Sequence, residues 1–275
     1  MKFNCGRYQL TLNRPHVMGI VNVTPDSFSD GGNYASTEKA IAHALALVAD
    51  GADILDIGGE STRPGAVAVS LDEELRRIVP VIEQLSKLTH VPLSIDTYKP
   101  EVMRAAIAAG ADIVNDVRAL QEAGTLEIVA NSNVGVCLMH MQGTPQTMQQ
   151  DPSYADVVAE VIEFLRLRQV SANQAGISND RILLDPGFGF GKRTSHNIAL
   201  IQQLEQIGHL GQPILVGLSR KSVLGQIIGA DDVNVRLHAS LAASVIAAMQ
   251  GAKIIRVHDV KATADALKVV AAVTH

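Results

Sequence analysis

Pro92-Leu-Ser-Ile-Asp-Thr97, Pro100-Glu-Val-Met-Arg-Ala-Ala-Ile-Ala-Ala-Gly110 and Ile113-Val-Asn-Asp-Val117 follow one another with two residues between successive segments. The first and third are short apolar runs ending in polar residues, the pattern of a strand buried on both faces. The middle segment carries Pro in its first turn, where a missing N–H costs nothing, and Gly just past its end, where a left-handed residue stops a helix. Strand, helix and strand in so few residues make a βαβ unit. Its two strands run parallel, because the helix carries the chain back to the edge it left.

Working outward, the same unit recurs along the chain. Short β-branched runs occur at residues 17–23, 54–58, 92–97, 113–117, 135–140, 182–185, 214–218 and 253–258, at a mean spacing of about 34 residues, the size of a βαβ unit. Between them, Ser70-x-x-Glu73 has the form of a capping box opening a helix to about residue 87. Residues 154–172 and 197–207 repeat apolar side chains at intervals of three and four, as helices lying on a sheet do. A final helix is expected over about 262–273. Eight such repeats in a 275-residue chain favour closure into a (β/α)₈ TIM barrel, which needs roughly 250 residues, over an open sheet. Residues 2–4 and 9–12 around Gly6 are expected to form a small N-terminal β-hairpin capping the barrel floor. No linker or low-complexity tract interrupts the pattern, so residues 1–275 are read as one domain.

Lys plus Arg number 23 against 28 Asp plus Glu, a formal charge of -5. That balance gives no electrostatic basis for binding nucleic acid or an acidic membrane. The first ten residues lack the apolar stretch of a signal peptide, and no run approaches the roughly 20 residues of a membrane span, so a cytoplasmic protein is expected. Of the two cysteines, Cys5 and Cys137, the second lies in an apolar run and is expected in the core as a reduced thiol.

In a closed barrel of this kind, chemistry is done at the carboxyl ends of the strands. There the sequence puts Asn22, Asp56, Asp96, Asn115, His140, Asp185, Ser219, Arg256 and His258. So many polar groups beside a packed core destabilise the fold unless they bind something, although Asp56 and His140 could equally be structural supports. The connections at 24–32 and 60–66, rich in Gly, Ser, Pro and charge, read as lids. Gly187-Phe-Gly-Phe-Gly-Lys192 mimics a phosphate loop but fails it, since Pro186 holds the first required Gly position and Arg193 the Ser/Thr position. The dinucleotide fingerprint fails as well, with Lys192 where the third Gly belongs.

Two longer stretches, Met18-Gly-Ile-Val-Asn-Val-Thr-Pro-Asp-Ser-Phe-Ser-Asp-Gly-Gly32 and Asp56-Ile-Gly-Gly-Glu-Ser-Thr-Arg-Pro-Gly65, resemble the paired signatures of the dihydropteroate synthase family. The resemblance continues through Ser94-Ile-Asp-Thr97, Asn115-Asp-Val117, Met139-His140, Asp185-Pro-Gly-Phe-Gly-Phe-Gly191, Ser219-Arg-Lys-Ser222 and Arg256-Val-His258. It implies condensation of 6-hydroxymethyl-7,8-dihydropterin diphosphate with 4-aminobenzoate to 7,8-dihydropteroate and diphosphate, with Mg²⁺ as cofactor, sulfonamides as competitors, and a homodimer. The helix at 239–249, apolar on most sides, could be a dimer face or simply part of the core.

Carried over by that resemblance, the pterin site comprises Asp96, Asn115, Asp185, Lys221, Met139 and Phe190. A carboxylate such as Asp185 can accept the adjacent amino and ring N–H of a pterin together. Diphosphate falls to Asn22, Arg63, Arg256 and His258, of which Asn22 is also the Mg²⁺ ligand, and cationic groups there meet charge that grows as the C–O bond breaks. The aminobenzoate site comprises Thr62, Pro64, Phe28, Phe190 and Ser222. Asp96, Lys221, Arg63, Arg256 and His258 are the residues expected to carry catalysis, by a dissociative route. Two rivals share the barrel: a methyltetrahydrofolate–corrinoid methyltransferase, which would lack the aminobenzoate lids, and a non-catalytic scaffold, which would have lost the diphosphate donors or the lysine after the seventh strand.

Overall fold

In the computed structural model, residues 1–23, 33–61, 65, 66, 68–144 and 147–274 are described, with side chains given from 37 in the first helix. The eight predicted strands are β3 (His16–Asn22), β4 (Ile54–Gly58), β5 (Leu93–Asp96), β6 (Ile113–Asp116), β7 (Gly135–Met139), β8 (Ile182–Asp185), β9 (Leu215–Val216) and β10 (Ile254–Val257). They form one parallel sheet in the order β8-β7-β6-β5-β4-β3-β10-β9. A parallel bridge between Leu184 and Ile214 joins the two ends, making the (β/α)₈ barrel. The helices on its outside are α1 (Asn33–Ala49), α2 (Leu71–Leu88), α3 (Pro100–Ala109), α4 (Thr125–Ala130), α5 (Val157–Gln174), α6 (Thr194–Gln202), α7 (Leu204–Gly208), α8 (Ser222–Ile228), α9 (Leu237–Met249) and α10 (Val260–Thr274). Among the described residues, no helix is long and apolar enough to cross a membrane.

Side chains alternate between the two faces of a strand, and this decides where the core and the site lie. Val17, Leu55, Val114, Val136, Leu184 and Ile255 point outward into the layer under the helices. Their neighbours Met18, Ile54, Ile113, Cys137, Leu183, Leu215 and Ile254 point inward and close the lower half of the barrel. The hairpin of β1 (Lys2–Cys5) and β2 (Tyr8–Thr11) lies beneath, adding Phe3, Cys5 and Leu12 to that cluster. Phe3 packs so tightly against β7 that a Cβ at Gly135 would lie 2.4 Å from its ring. Cys5 is therefore buried like Cys137, and both thiols are free; the sequence pointed only to Cys137 as a core residue.

Element ends differ from expectation where a side chain competes for the backbone. The helix expected from 154 begins at Val157, because Asp156 accepts the Val158 and Ala159 N–H groups at 3.0 and 3.1 Å. The helix expected over 197–207 is two helices, broken at Gln203 (φ -119, ψ 22). Only half of the capping box at Ser70 forms: Ser70 accepts the Glu73 N–H at 3.3 Å, while the Glu73 carboxylate pairs with Arg76 and Arg77. Gly110, at φ +112, ends α3 as expected.

Candidate active site

Two residues further along four of these strands, the inward pattern that made an apolar floor becomes polar. Ile54 is followed by Asp56, Ile113 by Asn115, Leu183 by Asp185 and Ile254 by Arg256. All eight strands are parallel, so these side chains meet at one mouth. Arg256 spans the centre, donating from Nε to Asp56 Oδ2 at 2.6 Å and from a terminal nitrogen to Asp96 Oδ2 at 2.7 Å. Asn115 donates to the same Asp56 oxygen at 3.2 Å. Among the described residues, Asp56 Oδ1, Asp96 Oδ1 and the Ser94 hydroxyl are buried without a hydrogen-bond partner, a costly arrangement in a closed core and a ready one for a ligand rich in N–H groups.

The charges are tuned by this confinement. Burial, reinforced by Asp56, Glu74 and Asp116, pushes the Asp96 carboxyl up to about 7 against the opposing pull of Arg256. Burial likewise raises Asp185, whose carboxylate is held down by Lys221, the Gly187 N–H, Lys192 and Arg256. Desolvation brings the Lys221 ammonium down to about 8 even with Asp185 beside it. Arg256, between two carboxylates, is raised. The site is thus a buried set of carboxylates whose protonation answers to the cations that face them.

Lys221 sits on a turn that strain and hydrogen bonds define together. Arg220 before it has φ +58, a left-handed conformation that costs a non-glycine residue about 1–2 kcal/mol. Its N–H donates to Ser240 Oγ of α9 at 2.9 Å and its guanidinium to Asp259 at 2.9 Å. Lys221 then reaches over the Phe190 ring, 4.6 Å from the centroid, and donates to the Phe188 carbonyl. Ser219 and His258 are joined through Oγ and Nδ1 at 3.1 Å. Met139 is buried at the end of β7, Asn22 half-buried at the end of β3 beside Gly58, and Ser222 exposed at the first turn of α8. Ser222 lines a groove of about 420 Å³ with Gln149, Arg193, Thr194, Asn197 and Gln226.

Of the residues singled out from the sequence, Asp96, Asn115, Asp185, Lys221, Met139, Phe190, Asn22, Arg256, His258 and Ser222 stand around this mouth. Phe28, Thr62, Arg63 and Pro64 lie outside the described residues. Asp56 belongs at the centre rather than in support, bonded by Arg256 and Asn115. His140 is a supporting residue: its ring meets Phe164 edge-on at 4.9 Å, its Nδ1 lies 2.9 Å from Lys192 Nζ, and burial takes it down to about 3. Sequence reasoning met Lys192 only as a false phosphate loop. Its sole signal was a lysine closing a glycine-rich turn, which does not reveal that the ammonium would be buried.

Among the described residues, no group of three His, Cys, Asp or Glu could hold a metal ion. A Mg²⁺ ion at this mouth would depend on water and substrate oxygens, with neutral donors such as the Asn22 amide oxygen as the protein's share, a pattern common for this cation.

The model of pterin binding enzymes matches residues 18–258 of the chain. A dihydropteroate synthase of Escherichia coli (strain K12) is 53% identical over 272 residues, covering 99% of this chain and 96% of that protein. The structure of a Xanthomonas albilineans dihydropteroate synthase with 4-aminobenzoic acid superposes with a TM-score of 0.94 at 55% identity, covering 99% of this chain and 97% of that one. A Yersinia pestis dihydropteroate synthase bound to a sulfonamide drug gives a TM-score of 0.94 at 49% identity, covering 99% of both chains.

Proposed function

Since this chain belongs to the dihydropteroate synthase family of pterin-binding enzymes, we propose that it condenses 6-hydroxymethyl-7,8-dihydropterin diphosphate with 4-aminobenzoate, giving 7,8-dihydropteroate and diphosphate. The observation that carries this reading is the buried Asp56–Arg256–Asp96 bridge with Asp185 and Lys221 at the same mouth. A bicyclic heterocycle with donors on one edge and acceptors on the other finds a complement to each there.

Asp185 accepts the amino group and ring N–H of the pterin, and Lys221 donates to the ring carbonyl and N5. Asn115 and Asp96 hold the remaining nitrogens, with Met139 and Phe190 against the ring faces. Arg256, His258 and Arg63 take up the charge that grows on the leaving diphosphate as the C–O bond breaks and its electron pair departs. The electron-rich dihydropterin stabilises the resulting methylene cation, and Asp96 supplies opposing charge. The aminobenzoate nitrogen then forms the C–N bond and releases a proton. Asn22 would be the protein's ligand to a Mg²⁺ ion, which when bound would supply further neutralisation of the leaving group. Phe28, Thr62, Pro64, Phe190 and Ser222 enclose the aminobenzoate, which sulfonamides displace.

A coupled assay of diphosphate release in the presence of Mg²⁺, with and without 4-aminobenzoate, tests the activity. Sustained release only with both substrates is expected; silence of folded protein under both conditions would leave a scaffold reading in its place. For the dissociative route, isotope scrambling within the diphosphate ester is expected without net consumption of aminobenzoate. An absolute requirement for the amine before any C–O cleavage contradicts it.

The reading includes a homodimer. Ile227 and Ile228 of α8, Val233 and Val235 of the short turn before α9, and Ile246 and Met249 of α9 are all exposed, apolar surface that supports this assignment. α9 buries Ser240, Ala243, Ser244 and Ala247 on one side and leaves Ile246 and Met249 exposed on another, which supports its assignment as a dimer face as well as a core helix. Ile227→Glu is expected to halve the mass seen by sedimentation. A cytosolic location accords with two free buried thiols, since oxidising compartments favour disulfides.

A further inference from the structure

We infer that Lys192 is a positioning residue for the pterin site, its buried ammonium holding the 186–191 turn in the shape that aims Asp185 and seats Lys221. This inference rests on the pterin reading of the mouth and adds a residue to it. Lys192 is 3% exposed. Its Nζ lies 2.9 Å from His140 Nδ1, 2.9 Å from the Gly187 carbonyl and 3.0 Å from the Phe190 carbonyl. An ammonium has three protons and no lone pair, and here these three close acceptors, with the His140 carbonyl a longer fourth at 3.4 Å, surround it, so every proton is used.

The turn closes one backbone hydrogen bond of its own, from the Phe190 N–H to the Gly187 carbonyl at 3.1 Å, and needs more than that to keep its shape. Gly187, Gly189 and Gly191 all have positive φ, at +69, +78 and +60, and alternate with bulky residues in a run that makes no regular structure. A Cβ at Gly187 would lie 1.8 Å from the His140 carbonyl, and one at Gly191 2.4 Å from that of Gln142, so the turn is pressed against the end of β7. Side chains from the β7–α5 connection and from α6 fasten its outer edge: Tyr154 donates to the Gly191 carbonyl at 2.7 Å, Gln149 to that of Gly189 at 2.6 Å, and Asn197 accepts the Gly189 N–H at 2.8 Å. Among the described residues, Lys192 fastens the inner edge at the carbonyls of Gly187 and Phe190, with Lys221 taking that of Phe188 between them.

Both of those carbonyls are one peptide from the site. Gly187 donates its N–H to Asp185 Oδ1 at 2.7 Å, fixing the carboxylate that would receive the pterin edge. Phe190 carries the ring beneath Lys221, and Phe188 between them supplies the carbonyl to which Lys221 donates. Without the Lys192 ammonium, the Phe190 carbonyl and the His140 Nδ1 lose the buried donor they share and the Gly187 carbonyl keeps only the Phe190 N–H at 3.1 Å, so the turn is expected to open toward water. The groups facing Asp185 would then lose one of their number. Lys221 faces it from the β9–α8 connection, Arg256 from β10 and the Cys137 thiol from β7, while Lys192 and the Gly187 N–H face it from its own loop.

The test is steady-state kinetics of Lys192→Met, close to lysine in shape but without charge or donors, over pH 5.5 to 9. The Michaelis constant for pterin diphosphate is expected to rise about tenfold or more, while that for aminobenzoate stays within about twofold. Burial pulls Lys192 well below the ordinary lysine value, with Asp185 opposing that shift, and over the pH range where it is charged its loss should move the acid limb of pterin affinity to higher pH. His140→Phe keeps the lysine and the ring packing but removes one acceptor, and is expected to show the same pattern at a few-fold size. Unchanged pterin affinity and pH profile in either folded variant overturns the inference, as does an equal loss for both substrates. Loss of folding in Lys192→Met leaves the decision to His140→Phe. The pterin reading fails differently: wild-type protein would then show no affinity for the pterin at any pH.

Discussion

Replacing Arg256 with Met removes the cation that bridges two carboxylates at the centre of the barrel. Asp56 is wholly buried and Asp96 nearly so, and both bond the guanidinium at under 3 Å, at 2.6 and 2.7 Å. Taking one partner from a buried pair costs about 3–5 kcal/mol, because the remaining charge is neither solvated nor neutralised. The folded variant can lower that cost by taking up protons. Asp96 stands at about 7 with Arg256 in place, above the ordinary value near 3.9 of an unfolded chain, so in wild type this group's unfavourable contribution grows as pH rises from about 4 to 7. Without the guanidinium its folded value climbs further, and folding binds at least one proton more than in wild type. Each extra proton adds about 1.4 kcal/mol per pH unit to the slope of stability. The penalty of Arg256→Met should therefore be small near pH 5 and approach its full size near pH 8.5. Urea unfolding at half-unit intervals across that range measures it, with Arg256→Met/Asp56→Asn/Asp96→Asn as the control that should flatten the difference. A penalty independent of pH would refute the idea that the three groups share one desolvated charge balance.

Three further predictions address other links. Ser222→Asp places negative charge where the acid end of aminobenzoate is assigned, and should raise the apparent aminobenzoate constant about tenfold or more, as loss of a charge-assisted contact does, while sparing the pterin constant; equal effects on both refute the assignment. Gly187→Ala combines φ +69 with a Cβ 1.8 Å from the His140 carbonyl, and should cost about 3 kcal/mol or more in urea unfolding; Gly176→Ala, at φ +97 with open space around it, should cost only about 1–2 kcal/mol. Lys99 joins Glu60, Glu74 and the Val69 carbonyl at 2.5, 2.6 and 2.6 Å. Lys99→Met should cost about 3 kcal/mol or more, and Lys99→Met/Glu74→Gln should recover part of it if the loss is that of a paired buried charge.

What the sequence revealed follows from which physics is local. The barrel was legible because strands buried on both faces are continuous apolar runs and their helices carry local stop signals such as Pro100 and Gly110. The polar mouth was legible because residues such as Asp185 and Arg256 end those runs. β9 is shorter than its apolar run because Gly217 and the strained Arg220 turn lead the chain out of the ladder. The break at Gln203 left no apolar gap to read. Partnerships between distant residues were the least legible: that Asp56 rather than water receives Arg256, or that Lys192 turns inward to His140, depends on groups 200 and 52 residues away. Cys5 was hidden for a related reason, since its burial comes from a hairpin pressed under a barrel floor and not from its neighbours in the chain.

The most direct test of the account is a crystal structure of the protein with a pterin, diphosphate and Mg²⁺ bound together. The pterin's amino edge should lie within hydrogen-bond distance of Asp185, its carbonyl near Lys221, and the diphosphate against Arg256 and His258 at the same mouth. A pterin bound elsewhere, or a diphosphate at the hairpin end of the barrel, would contradict it.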